Sequence, residues 1–385
     1  MKLTNNRFYF DYNATSPLAE SVTSWLSSGD LPFGNPSSIH SSGKLSKRYI
    51  NETREFLYQT FGLNDFRLFF HSGATEGINS IVRGLAYELF KNSEKLTFIC
   101  SPTDHSCIYN LKEELELFGH QFVVFDIDEN GEFSYENLRD LIKAQTNKVL
   151  LNYTFVNNES GVVWPLDMAV SLKEETGCFV HVDAVQAVGK IKEWQELSEK
   201  IDAFTFSAHK FGAMKGIGFS FMRTDFPFHS LIRGGGQQEG LRSGTENVHA
   251  IYSIKLALES LMKSYDFSQQ VVGKNIIENE ILKEIPSLKL VGAKANHRNG
   301  NTIYLVIPNK KADILLTAFD LAKMDVSSGS ACSSGAVIPS RVLMAMGYSE
   351  DEAKGAVRLS FAPSLDVASA TEYATKIVTV LKRFA

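Results

Sequence analysis

Seven short runs between residues 67 and 222, most of them almost continuously apolar, constrain this chain more than any other feature: RLFFHS (67–72), KLTFICS (95–101), QFVVFDI (121–127), KVLLNYTFV (148–156), CFVHVDA (178–184), DAFTFSA (202–208) and GIGFSFM (216–222). A strand apolar at successive rather than alternate positions needs cover on both faces. Helical stretches such as EGINSIVRGLAYELF and CIYNLKEELELFG lie between the runs and can supply it. The alternation predicts an α/β domain around a mostly parallel, seven-stranded sheet. After Leu241 the texture changes. A helical pattern from Asn247 to Tyr265 leads to fewer strand signals, chiefly NTIYLVIP (301–308) and AVRLSFAP (356–363), with ADILLTAFDLAK as a helix between them. A chain of 385 residues has room for two domains. The expected division is a large α/β domain over 17–260 and a small α+β domain made of 1–16 with 261–385.

Composition excludes several classes. Lys+Arg 39 against Asp+Glu 44 leaves a net charge of −5, too even for a nucleic-acid-coating or membrane-binding surface. No apolar run reaches the ~18 residues of a membrane span. MKLTNNRFYF lacks the apolar core of a signal peptide, so a cytoplasmic protein is expected. The four cysteines, Cys100, Cys107, Cys178 and Cys332, are too scattered for a disulfide framework and form no CxxC pair. Cys100, His105 and Cys107, or Cys178 and His181, form no tetrad with zinc-like spacing, so no metal is expected.

In open α/β sheets ligands bind outside the carboxyl ends of the strands. The residues following the runs there are Gly73-Ala74-Thr75, Asp104-His105, Asn157-Asn158-Glu159, Asp183 and His209-Lys210. Gly73-Ala74-Thr75 opens a helix, whose first N–H groups and dipole suit an anion; a plain helix cap reads the same way. No GxxxxGK[ST] occurs, so the anion is not a nucleotide in a Walker loop. Lys210 ends the strand DAFTFSA within Ser-Ala-His-Lys, and a semi-buried lysine there has a depressed pKa and can form a Schiff base with an aldehyde. A lone lysine more often simply reaches solvent. Asp183, at the end of a neighbouring strand, is the carboxylate that would keep a pyridoxal ring nitrogen protonated, and Gln186 could donate to the ring's phenolate oxygen. Anion pocket, lysine and carboxylate on one rim together describe a pyridoxal phosphate site. His105 could stack on the ring and shuttle protons, or merely cap a helix. Cys332 lies in SSGSACSSG, a loop of tiny residues on which a thiol can move and act as a nucleophile; Cys100 and Cys178 read as small core residues.

With these motifs the chain resembles the cysteine desulfurases of the nitrogen-fixation/iron–sulfur-cluster type, in the class V aminotransferase family. The match runs nearly end to end, through FDYNATSP, FGNPSS, SGATEGIN, VNNESGVV, HVDAVQAVGK, FSAHKFGAMKGIG, GGGQQEGLRSGTENV and SSGSACSSG. The resemblance implies fold-type-I pyridoxal 5′-phosphate architecture and a homodimer. It implies L-cysteine as substrate, L-alanine as product and an enzyme-bound persulfide. By position, Lys210 would be the Schiff-base lysine, His105 the ring-stacking acid/base, and Asp183 and Gln186 the ring contacts. Ala74, Thr75, Ser207 and His209 would bind phosphate, with Thr245 reaching over from the second subunit. Asn158 would contact cofactor and substrate, Arg358 would grip the substrate carboxylate, and Cys332 would accept the sulfur. The acceptor downstream would be a cluster scaffold or a thiolation factor. Another class V enzyme, such as a selenocysteine lyase or a transaminase, would use the same lysine and ring contacts. The chain departs from the family pattern at Gln238 and Glu239, expected to bear on the subunit interface, at His71 where threonine is common, at Cys107, at FGAMKG, and in a shortened tail after Arg358.

Overall fold

The computed structural model describes residues 2–3, 7–329 and 338–384. All seven apolar runs are strands of one sheet. In spatial order they are Phe66–His71, Gly218–Arg223, Ala203–Ser207, Phe179–Asp183, Lys148–Thr154, Leu96–Cys100 and Gln121–Val124. Only Gly218–Arg223 runs antiparallel to its neighbours. Successive residues of a strand enter different cores, because the side-chain period is two. Leu68 and Phe70 join one cluster and Phe69 the other; Ile99 is separated in the same way from Phe98 and Cys100. Helix Ala74–Lys91 covers one face through Ile78, Ile81, Val82 and Leu85, and Val248–Ser264 contributes Ile251, Ile254 and Leu258 to the other. This two-sided cover explains why the inner strands read as apolar throughout; the edge strand Gln121–Val124 is only partly buried.

The edge strand Phe66–His71 is finished by a side chain. Gln238 is buried, accepts the Phe70 N–H (2.6 Å) and donates to the Phe70 carbonyl (3.0 Å), so its amide stands where another strand's backbone would.

A second sheet, antiparallel, joins Lys289–Leu290, Thr302–Val306 and Ala356–Ser360. Helices Phe267–Glu284 and Val367–Leu381 pack over it through Ile277, Ile281, Ala374 and Ile377. The amino-terminal run lies with this sheet: Phe8 and Phe10 enter its core, and Asp11 bridges to Ser360. The chain then crosses to the large sheet, where Ser16 N–H donates to the His209 carbonyl (2.8 Å). Among the described residues no helix is long and apolar enough to cross a membrane.

Candidate active site

The carboxyl edge of the large sheet opens onto a cavity of about 850 Å³. Its wall includes Ala74, Thr75, His105, Asn158, Asp183, Gln186, Ser207, His209, Lys210 and Arg358, so ten of the twelve residues expected from sequence converge there.

Lys210 sits one step beyond its expected place, in the single 3₁₀ turn Ala208–Lys210 that follows the strand. Its Nζ donates to the carbonyls of Asn13 (2.7 Å) and Ala14 (2.8 Å), both from the amino-terminal run. Burial, and then the Arg358 charge, push the amine down to about 8, against the pull of Asp11 and Asp183. Asp183 ends its strand and accepts the Val185 N–H (3.0 Å), while burial pushes its carboxyl up to about 6. Gln186 donates one amide hydrogen to the Asn13 carbonyl (2.9 Å) and accepts from the buried Lys190 amine, leaving one N–H for a ligand.

At the anion end, Gly73 precedes helix Ala74–Lys91 and gives no side-chain cap, so its first-turn N–H groups keep their donor capacity. A Cβ on Gly73 would stand 4.0 Å from Ser207 Oγ, which places that hydroxyl beside the helix start. His209 contacts Thr15 Oγ1 through Nδ1 (3.0 Å); burial and the Lys210, Lys190 and Lys215 charges push it down to about 4. Cys107 meets Thr75, and burial pushes its thiol up to about 12, so it is no thiolate.

His105 both caps and faces the cavity. Its Nδ1 accepts the Cys107 N–H (3.2 Å) at the start of helix Ser106–Tyr109. That bond puts the hydrogen of the neutral ring on Nε2. Burial, Lys210 and Arg341 lower its proton affinity.

Arg358 is 3% exposed. One terminal nitrogen donates to the Asn158 carbonyl (2.8 Å) and the other to Asp11 Oδ1 (2.8 Å). Its Nε, itself buried, has no partner among the described residues, and one hydrogen on each terminal nitrogen remains for a carboxylate. Sequence reasoning missed Asp11. Its partner lies 347 residues away, and no local pattern marks such a pair.

Thr245 is exposed and does not line its own chain's cavity. Cys332 lies outside the described residues; Ser327, Gly329, Ile338 and Pro339, on either side of it in sequence, line the cavity. Cys100 and Cys178 are buried in the core. Among the described residues no group of three or more His, Cys, Asp or Glu could hold a metal.

Residues 8–369 match the family described as aminotransferase class-V. The cysteine desulfurase IscS of Clostridium botulinum (strain Hall) is 32% identical over 366 residues, 92% of this chain and 89% of that protein. A cysteine desulfurase of Cereibacter sphaeroides is 33% identical over 357 residues, 92% of this chain and 90% of its own. Among solved structures, the NifS-like protein from Rickettsia africae superposes with a TM-score of 0.85 at 27% identity, covering 98% of this chain and 99% of that one.

Proposed function

The chain belongs to the aminotransferase class-V family, and from that premise we propose that it is a pyridoxal 5′-phosphate-dependent cysteine desulfurase, converting L-cysteine to L-alanine with Cys332 receiving the sulfur. One observation carries the reading: an uncapped helix start, a desolvated lysine and a buried carboxylate short of hydrogen-bond donors share one cavity.

The residues present fit the cofactor. Ala74, Thr75, Ser207 and His209 would hold its phosphate, Asp183 and Gln186 its ring, and Lys210 its aldehyde carbon. When bound, it supplies an aldehyde that captures the amino group and a ring that withdraws electrons from Cα. Arg358 orients the substrate by its carboxylate through charge-assisted N–H groups. Near neutral pH a lysine held at about 8 keeps a sizeable unprotonated fraction, which lets Lys210 take the Cα proton and return one. His105, facing the cavity with Nε2–H, would stack on the ring and exchange a proton with the substrate thiol. The Cys332 thiolate bonds to the substrate sulfur as the Cβ–S bond breaks. Lys210 then returns a proton to the carbon skeleton, alanine leaves, and Cys332 keeps the sulfur as a persulfide for a thiol acceptor on a scaffold or thiolation protein. Exposed Thr245, outside its own cavity, serves the site of a second copy in a homodimer.

A visible spectrum of purified protein before and after cysteine, with alanine and sulfide measured, tests this. Cys332→Ala is expected to keep the yellow absorbance and lose cysteine-dependent sulfide release. Full turnover in that variant refutes the acceptor role, and keto acid instead of alanine makes the enzyme a transaminase.

A further inference from the structure

Buried in the apolar core of the large sheet is a row of polar side chains that the chemistry above does not use. His71 Nε2 lies 3.0 Å from Ser220 Oγ, which lies 2.9 Å from Thr205 Oγ1. Thr205 Oγ1 is 2.9 Å from His181 Nε2, and His181 Nδ1 is 2.8 Å from Asn152 Oδ1. Asn152 Nδ2 ends the row 2.8 Å from Asp104 Oδ2. Five adjacent strands each contribute one member, and no member is more than 2% exposed. The fold makes room for the first of them. A Cβ on Gly77 would stand 2.4 Å from the His71 ring, and one on Gly218 2.6 Å.

With Asp104 ionised, the direction of every bond follows from the chemistry of its atoms. The Asp104 carboxylate accepts, so Asn152 turns its NH₂ toward it and its oxygen toward His181. An amide oxygen cannot donate, so His181 carries its hydrogen on Nδ1. Burial keeps both imidazoles neutral, pushing His181 down to about 3 and His71 to about 4. His181 Nε2 therefore accepts from the Thr205 hydroxyl, Thr205 accepts from Ser220, and Ser220 accepts from His71 Nε2–H. All donors point one way, toward Asp104, and aligned bonds of this kind polarise one another.

Asp104 also takes the Ser101 N–H (3.1 Å) and the Thr154 hydroxyl, its carbonyl takes the Arg341 guanidinium, and His105 is the next residue. We propose that the row from His71 to Asp104 is a positioning device for His105: it holds Asp104 as a carboxylate, and that carboxylate pins the turn from Ser101 to His105 against the cavity. Burial, aided by Asp183, pushes Asp104 up to about 7, and the donors from Thr154, Asn152 and Ser101 oppose that. The other titratable groups facing it are Cys100, Cys107 and Tyr109, with the Arg341 charge at its carbonyl. Protonating Asp104 on the Asn152 side would require the amide to turn over and every donor along the row to reverse.

The second arm of the test rests on the desulfurase reading; the first does not. Imidazole ¹⁵N shifts of the full-length, cofactor-loaded protein are expected to show His181 with hydrogen on Nδ1 and His71 with hydrogen on Nε2, neither titrating between about pH 5 and 9. Hydrogen on His181 Nε2, or a titrating ring, overturns the proposal. In the second arm Thr205→Val removes a donor while Thr205→Ser keeps it. The valine variant should move the acid-side midpoint of cysteine turnover upward by about 0.5–1 pH unit, a roughly three- to tenfold change in proton affinity, and the serine variant should not. A uniform loss at all pH values, or a serine variant that behaves like valine, also overturns it. Wild-type protein without desulfurase activity would sink the functional reading while the nitrogen shifts still decide the row.

Discussion

Replacing Lys210 with methionine should stabilise the cofactor-stripped protein at neutral pH. Burial and Arg358 bring the amine from an ordinary 10.5 to about 8, and a depression of that size corresponds to about 3 kcal/mol of stability lost while the group is protonated. Methionine fills similar space without the charge. Against this, the Ala14 carbonyl loses its donor and the Asn13 carbonyl keeps only Gln186, which costs roughly 1–2 kcal/mol. The net is about 1–2 kcal/mol in favour of the variant, or roughly 1–3 °C in Tm for a chain of 385 residues. Its pH dependence is the sharper test. Below about pH 8 both folded and unfolded wild-type chains hold the proton, so the penalty is complete. Between 8 and 10.5 the unfolded chain binds a proton that the folded chain has released, so wild-type stability rises with pH. The advantage of Lys210→Met should therefore be full below pH 8 and fade as pH rises toward 10.5. Urea unfolding of both stripped proteins at pH 7, 8, 9 and 10 measures it. An advantage that stays level or grows with pH, or a more stable wild type at pH 7, would refute the argument.

Arg358→Lys leaves one ammonium to serve the Asn158 carbonyl, Asp11 and a carboxylate together; the KM for cysteine should rise roughly 30-fold with kcat within about threefold, and the reverse split would remove Arg358 from carboxylate binding. Gln238→Ala orphans the Phe70 N–H and carbonyl at the sheet edge and should cost about 2 kcal/mol in urea unfolding, whereas a cost under about 0.5 would mean that water replaces the amide. Sulfate, which does not titrate near neutrality, should raise the His209 midpoint from about 4 by at least about one pH unit in proton NMR; no movement would take His209 out of the anion cradle.

Two-sided burial made the strands legible, and the rule that ligands bind at carboxyl ends gathered the site from them. What stayed hidden depends on register and long-range pairing. Strand order was not readable, because Gly218–Arg223 inserts antiparallel between Phe66–His71 and Ala203–Ser207. Asn152, His181, Thr205 and Ser220 are polar residues inside apolar runs, a visible anomaly. That they touch follows only from the pairing of Asn152 with His181 and of Thr205 with Ser220. The stretch CIYNLKEELELFG, read as one helix, is broken at Asn110-Leu111, where Arg341 stacks 3.6 Å from the Tyr109 ring centroid. Lys190 gave no signal of its own; its buried amine meets Gln186 and its carbonyl takes the N–H of Gly300, which reaches it from far along the chain.

The electrostatics around the cavity share one direction. Lys210, Lys190, His209 and His105 are pushed toward losing a proton, and Asp183 and Asp104 toward gaining one. All but the more exposed His105 are desolvated groups with too little opposite charge beside them, so their ionised forms carry a penalty until a counter-charge is supplied. A ligand that places a dianion at the helix start beside His209, and a protonated ring nitrogen at Asp183, supplies both missing partners at once. A neutral ligand of the same shape supplies neither. The instability built into this wall is therefore itself a specificity device: the same burial that lowers the Lys210 amine into a useful range selects for a ligand carrying separated charges of opposite sign. Arg358 shows the contrast. Its charge is already met by Asp11, it is left at the cavity with spare hydrogens rather than a spare charge, and it is thereby suited to hold a substrate carboxylate that must also be released.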